Sequence, residues 1–137
     1  MLTKQERGCT FFISQVVYDL NESKNLVSDY FYACKEAGLT PRPVIFTLSL
    51  CGSAKTLEFL EWLGVQVPAW LATELRESAD PLADSMRESL AIARDLKAYC
   101  ERLGMPYGFN IESVSIRKAE IEATTELARE VAALLRS

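Results

Sequence analysis

Two short stretches of the chain are apolar almost without interruption: Phe11-Phe12-Ile13-Ser14-Gln15-Val16-Val17-Tyr18 and Val44-Ile45-Phe46-Thr47-Leu48-Ser49-Leu50. Their length and their β-branched and aromatic content predict strands, and the lack of clean alternation predicts strands covered on both faces. Between them the period changes. Leu26, Val27, Tyr30, Phe31 and Cys34 recur at i, i+3, i+4 spacing, which predicts an amphipathic helix over residues 23–37, ended by Gly38. Pro41-Arg42-Pro43 leads into the second strand, so the first unit reads β-α-β.

Cys51-Gly52-Ser53 is a turn with Ser53 as a helix cap. Leu57, Phe59, Leu60 and Leu63 supply the apolar stripe of the next helix before Gly64. Proline suits a first helical turn, so Pro68 opens a short helix to about Arg76, and Asp80-Pro81 opens the longest one, which runs to Gly104. Residues 107–115 form a third, less apolar strand, and Arg117 to Arg136 a final helix. The order β-α-β-α-α-α-β-α is that of an α/β domain. Right-handed crossovers then give adjacent parallel strands with crossover helices on one face. That leaves the other sheet face bare, in conflict with strands that want cover on both sides. Either one crossover lies on the opposite face, as in a small doubly wound domain, or the cover comes from another copy or another polypeptide. On the second alternative residues 1–137 are a single partial-barrel domain.

Composition sharpens the chemistry. The chain has 137 residues, 49% hydrophobic and 25% charged, which suits one domain with a core of its own. There is no histidine. A Ser-His-Asp or Cys-His nucleophile, a histidine-bound metal and an imidazole base are therefore excluded, leaving carboxylates, Tyr, Lys, Cys or a bound cofactor. A formal charge of -4 without a Lys/Arg stripe argues against nucleic acid and anionic membranes as partners. No apolar run approaches the ~20 residues of a membrane span, and Met1 to Arg7 lacks a signal-peptide pattern. Cys9, Cys34, Cys51 and Cys100 are irregularly spaced with no C-x-x-C pair, so they read as reduced packing thiols. A cytoplasmic protein is expected, in which Asn21-Glu22-Ser23 is not a glycosylation site.

In parallel α/β folds ligands lie beyond the carboxyl ends of the strands, here Gln15 to Asp19, Thr47 to Ser53 and Asn110 to Ser115. Gln15 places an amide in an apolar strand, where it is either satisfied within the core or offered to a ligand. Glu112 is a carboxylate that burial penalises, so it faces solvent or a ligand. Ser53 at the helix start either caps the helix or helps to bind an anion. Cys51 stands where a helix N-terminus lowers a thiol pKa, with no base beside it. Trp62, Trp70, Tyr30, Phe31 and Phe59 fall at helical spacing and are expected to pack. No Gly-rich dinucleotide loop or P-loop is present.

Phe12-Ile13-Ser14-Gln15, Pro43-Val44-Ile45-Phe46-Thr47-Leu48, Lys55-Thr56-Leu57-Glu58-Phe59-Leu60 and Val65-Gln66-Val67-Pro68-Ala69-Trp70-Leu71 together resemble the carboxyl-terminal part of the methylenetetrahydrofolate reductase family. The resemblance implies the last three βα units of a TIM (βα)8 barrel. It also implies a flavin-dependent oxidoreductase of one-carbon metabolism and methionine biosynthesis, in which FAD relays hydride from NAD(P)H to methylenetetrahydrofolate. Gln15 then resembles the strand glutamine that hydrogen-bonds the pterin ring, since an amide both donates and accepts. Two positions depart from the family. Ser53 stands where the family carries an aromatic that stacks on substrate or nicotinamide, and the loop from Glu112 to Arg117 lacks the family's tyrosine and asparagine. The family's catalytic glutamate and most FAD contacts belong to amino-terminal strands absent from these residues. Gln15, Thr47, Ser53 and Glu112 are accordingly the candidate substrate-binding residues, with no catalytic residue and no metal ligand assigned. The expected partners are a pterin-like small molecule and either further copies of the chain or a complementing barrel half. A non-catalytic ligand-binding or structural half-barrel is the alternative, and a closed α/β binding domain a third.

Overall fold

A computed structural model describes residues 1–137. Its elements are α1 (Leu2–Glu6), β1 (Phe12–Val16), α2 (Leu20–Ala37), β2 (Val44–Leu48), α3 (Ala54–Trp62), α4 (Ala69–Glu77), α5 (Pro81–Leu103), β3 (Tyr107–Ile111) and α6 (Lys118–Arg136). The predicted order holds from β1 onward. Helix α1 is an addition, too short to show a stripe. It is held by tertiary contact: Gln5 Nε2 donates to Thr40 O at 2.9 Å, and Gln5 Oε1 accepts from the Tyr30 hydroxyl. Helix α2 begins three residues before the predicted Ser23 because Asp19 caps it, its carboxylate accepting from Glu22 N–H at 3.1 Å. Helix α5 is capped by Asp80 with Pro81 in its first turn, and closes at Gly104 in the left-handed region, φ 79°.

The three strands are parallel in the order β1-β2-β3. Register assigns each residue to a face. Val44, Phe46 and Leu48 pair with Tyr107, Phe109 and Ile111, and with Phe12 they form the face lying under α2, α5 and α6. Val44, Phe46 and Leu48 are at most 1% exposed there. The opposite face carries Ile13, Ile45 and Gly108 in one row and Thr47 beside Asn110 in the next. Nothing in the chain covers it: Ile13 is 59% and Phe11 53% exposed. Gly108 belongs to this row for a steric reason, since a Cβ there would stand 3.1 Å from Ile45 Cδ1. The strands are therefore covered on one face only, and the crossovers all lie on that side.

The strands are also shorter than their apolar runs. Residues 17–18, 49–50 and 112–115 leave the ladder to build the rim above it. Tyr18 is buried there, its hydroxyl donating to Ser49 O and lying 3.1 Å from Ser85 Oγ, which in turn accepts Cys51 N–H at 2.8 Å. Ser85 on α5 thus fixes the exits of both β1 and β2. Within β1 the ladder slips by one residue between Ile13 and Val16. Ser14 fills the break. Its hydroxyl accepts Thr47 N–H at 3.1 Å and its carbonyl accepts the Thr47 hydroxyl at 2.8 Å. Such a bulge re-aims the side chains beside it, and the residue next to Ser14 is Gln15.

Candidate functional site

The carboxyl ends of the strands carry a row of polar groups that the sheet register assembles. Thr47 Oγ1 spends its proton on Ser14 O and accepts from Asn110 Nδ2 at 3.3 Å, while the same Nδ2 reaches Glu112 Oε2 at 3.3 Å. Thr47 is 2% exposed, whereas Glu112 lies in the open. Gln15 is exposed on the neighbouring strand, and its side-chain amide bonds to no other group of the chain. An unpaired strand amide is thus set near a second amide and an exposed carboxylate, with the buried Thr47 hydroxyl holding Asn110 from beneath, and the exposed amide and carboxylate can meet the edge of a polar heterocycle with donors and acceptors alike. Asn110 belongs to the strand-end stretch marked in the sequence but is not among the four candidate residues. The signal was there, because it stands two residues before Glu112 and therefore on the same face of a strand.

Two clefts flank this row. One, of about 380 Å³, lies between the end of β1 and the start of α2, and its walls include Gln15, Asp19, Glu22, Asp29 and Gln66. The other, of about 420 Å³, lies between α3 and the β3–α6 connection and is lined by Lys55, Thr56, Phe59, Ser115, Ile116 and Arg117 among others. The first presents amides and carboxylates, the second two cations and an apolar floor. Ser53, a candidate from the sequence, is used locally: its hydroxyl accepts Thr56 N–H at 3.1 Å and caps α3. It lies in neither cleft.

The basic cleft is built by Glu120, which no sequence pattern marks. It sits in the first turn of α6, 2% exposed. One carboxylate oxygen accepts Gly52 N–H at 2.6 Å and the Thr56 hydroxyl at 2.9 Å; the other accepts the Ser115 hydroxyl at 2.5 Å and lies 3.8 Å from Arg117 Nε. A buried carboxylate is tolerated when its lone pairs are met by donors in this way. It ties the β2–α3 loop to the β3–α6 connection.

Two expectations are corrected here. Cys51 is no activated thiol: burial pushes its pKa up to about 11, with the Glu120 charge adding to the effect, and this outweighs the helix N-terminus. The aromatic set also divides. Tyr30 packs edge-on against Phe12 at 5.4 Å, but Phe59, Trp62 and Trp70 are 42%, 79% and 57% exposed. Helix α3 buries Thr56, Leu57 and Leu60, so the i, i+3 pair Phe59 and Trp62 falls on its outer side, where the rings stack on each other. Tyr18 has its pKa raised by burial and is an anchor rather than a proton donor.

The cleft beside Gln15 does not fit the pyrophosphate of a flavin dinucleotide. The carboxylates of Asp19, Glu22 and Asp29 line the cleft beside Gln15 and would repel a pyrophosphate, and no Gly-rich loop offers a backbone cradle. No cluster of Cys, Asp and Glu is arranged to hold a metal ion, and no helix is long and apolar enough to cross a membrane.

No family model and no curated protein matches the chain. Among solved structures it is similar to an uncharacterized protein from Clostridium thermocellum described as binding two copies of 5-methyl-5,6,7,8-tetrahydrofolic acid. The two share 44% sequence identity and superpose with a TM-score of 0.91. The match covers 97% of this chain and 47% of the other, so the chain spans about half the length of the structure it resembles.

Proposed function

We propose that this chain is the ligand-binding half of a βα barrel and that its ligand is a reduced folate. The observation that carries the proposal is the polar row on the open sheet face, Gln15, Thr47, Asn110 and Glu112, placed where a parallel α/β fold receives its ligand. A pterin edge has ring N–H and amino donors beside carbonyl and ring-nitrogen acceptors. Glu112 accepts from the donors, and the Gln15 amide serves either kind. Lys55 and Arg117 lie in the basic cleft on the same rim, where they attract the carboxylates of the folate tail. Folate binding by the similar Clostridium thermocellum protein supports this ligand class.

The narrower activity implied by the family resemblance, reduction of methylenetetrahydrofolate with NAD(P)H and FAD, is the second reading. It draws support from Gln15 at the strand position where that family holds the pterin. On that reading the flavin contacts belong to strands outside these residues, consistent with the carboxylate-lined cleft beside Gln15.

Titration calorimetry with 5-methyltetrahydrofolate tests the first reading. Saturable binding that falls at least tenfold in Gln15→Leu is expected; heats indistinguishable from dilution, or wild-type affinity in the variant, overturn it. Flavin absorbance in the purified protein, or a melting temperature raised by FAD, supports the second reading. A colourless protein whose melting temperature ignores FAD removes flavin chemistry from this chain.

A further inference from the structure

Parallel strands exchange evenly spaced hydrogen bonds, and β1 departs from that spacing at one point. Phe12 N–H donates to Pro43 O, so even spacing would bring Val16 N–H to Thr47 O. Val17 N–H makes that bond instead, at 2.9 Å, which leaves one residue too many between two fixed ends. Such insertions are rare between parallel strands and are over-represented beside functional sites. The lower end is held by the pairing of Phe12 with Val44 and the upper end by the buried Tyr18, so the extra length is taken up at Ser14 and Gln15.

We infer that Ser14 is a positioning residue for Gln15, a role that rests on the folate reading above. Its hydroxyl accepts Thr47 N–H at 3.1 Å and donates to Gln15 O at 2.7 Å, so one oxygen clamps the Gln15 peptide to β2 where the ladder itself does not. Thr47 closes the clamp from the other side, its hydroxyl donating to Ser14 O at 2.8 Å. In an unbroken ladder the register of Phe12 with Val44 would set Gln15 opposite Thr47 and lay its amide against that hydroxyl. The bulge gives that place to Val16 and leaves the Gln15 amide exposed and unpaired. A free amide on a fixed peptide suits the edge of a ligand, because the group is unspent and its backbone needs no further ordering on binding. Ser14 acts through Gln15, since its one proton is already given to the Gln15 carbonyl.

Titration calorimetry with 5-methyltetrahydrofolate on Ser14→Ala, on Gln15→Leu and on the double variant tests the role. The chain is anchored on both sides of the bulge, so Ser14→Ala is expected to stay folded by circular dichroism while its affinity falls about fivefold, the scale of ordering one flexible side chain. In the Gln15→Leu background the same change should alter affinity by less than about twofold, because the group it positions is gone. Ser14→Thr keeps the hydroxyl and should bind within about twofold of wild type. Backbone relaxation by NMR gives a readout without ligand: Gln15 rigid in the wild type and mobile in Ser14→Ala. Wild-type affinity or an equally rigid Gln15 in a folded Ser14→Ala, or an equal loss with and without Gln15, overturns the inference while the folate reading stands. A folded wild type that binds no folate overturns that reading, and the inference falls with it. If Ser14→Ala does not fold, Ser14→Cys decides, since a thiol is a weaker donor and acceptor: affinity between those of wild type and Gln15→Leu is expected, and wild-type affinity overturns the role.

Discussion

The backbone N–H of Gly52 donates to Glu120 Oε1 at 2.6 Å, and a Cβ at residue 52 would stand 2.7 Å from Glu120 Cγ and 2.8 Å from Oε1. Residues 68 positions apart in sequence are thus fitted so closely that neither can be exchanged alone. Glycine is required at residue 52 for space rather than for an unusual backbone angle. Gly52→Ala should destabilise by about 1–3 kcal/mol through overpacking. Glu120→Ala orphans the Gly52 N–H, at about 1–3 kcal/mol, and leaves the Thr56 hydroxyl only Ser53 Oγ as a partner. Glu120→Gln keeps an acceptor for Gly52 and should cost less than Glu120→Ala. Urea midpoints for the three variants check this order, and an alanine variant at least as stable as wild type would show that the clasp contributes nothing.

Gln15→Leu separates binding from folding. The side chain is exposed and bonds to nothing in the chain, so the substitution should change stability by no more than about 0.5 kcal/mol. Loss of one good hydrogen bond to a ligand is worth about 1.4 kcal/mol, or tenfold in affinity. A large drop in melting temperature without any change in ligand affinity would make Gln15 a structural residue.

Ser85 and Tyr18 should prove coupled. Ser85→Ala leaves the buried Cys51 N–H without its acceptor and Tyr18→Phe leaves Ser49 O without its donor, each worth about 1–3 kcal/mol. The two side chains also share a hydrogen bond, so the double variant should lose less than the sum of the singles. Strict additivity in a double-mutant cycle would contradict the network.

Stability should fall in alkali as buried thiols ionise. Burial holds Cys51 and Cys100 protonated, raising each from the ordinary value of 9.0 to about 11. In the unfolded chain these thiols ionise near 9, so above that pH the unfolded state binds fewer protons than the native one and is favoured. Their contribution is fully present below pH 9 and is lost as the pH rises through 11. Denaturation midpoints at pH 8 and pH 10.5 measure it. Replacing both thiols with Ala should flatten the dependence, and an unchanged slope in that variant would assign it to other groups. At pH 8 the half-exposed Cys9 should be the first thiol to react with a disulfide reagent.

Much of this architecture is legible in the sequence. The strands announce themselves through Val44-Ile45-Phe46 and the helix stops through Gly38 and Gly104, because local period and local backbone preference decide such features. The conflict between apolar strands and one-sided helices is legible too, and it points to the open face. Glu120 is not, since one more glutamate in a charged helix differs from its neighbours only by what the fold brings against it. Trp62 and Trp70 mislead for the converse reason: helical spacing shows that residues share a face, not which face is buried.

The amino-acid sequence by itself determined the α/β order and the lack of any imidazole, and it marked Gln15 as an amide set in an apolar strand. Each of these rests on composition or on interactions within about one helical turn or strand. Only the tertiary structure decided that Thr47, Asn110 and Glu112 form one polar row beside an unpaired Gln15 amide, and that Glu120 joins two loops at the rim. Those arrangements depend on strand register and helix docking, which join residues more than sixty positions apart and leave no periodic trace along the chain.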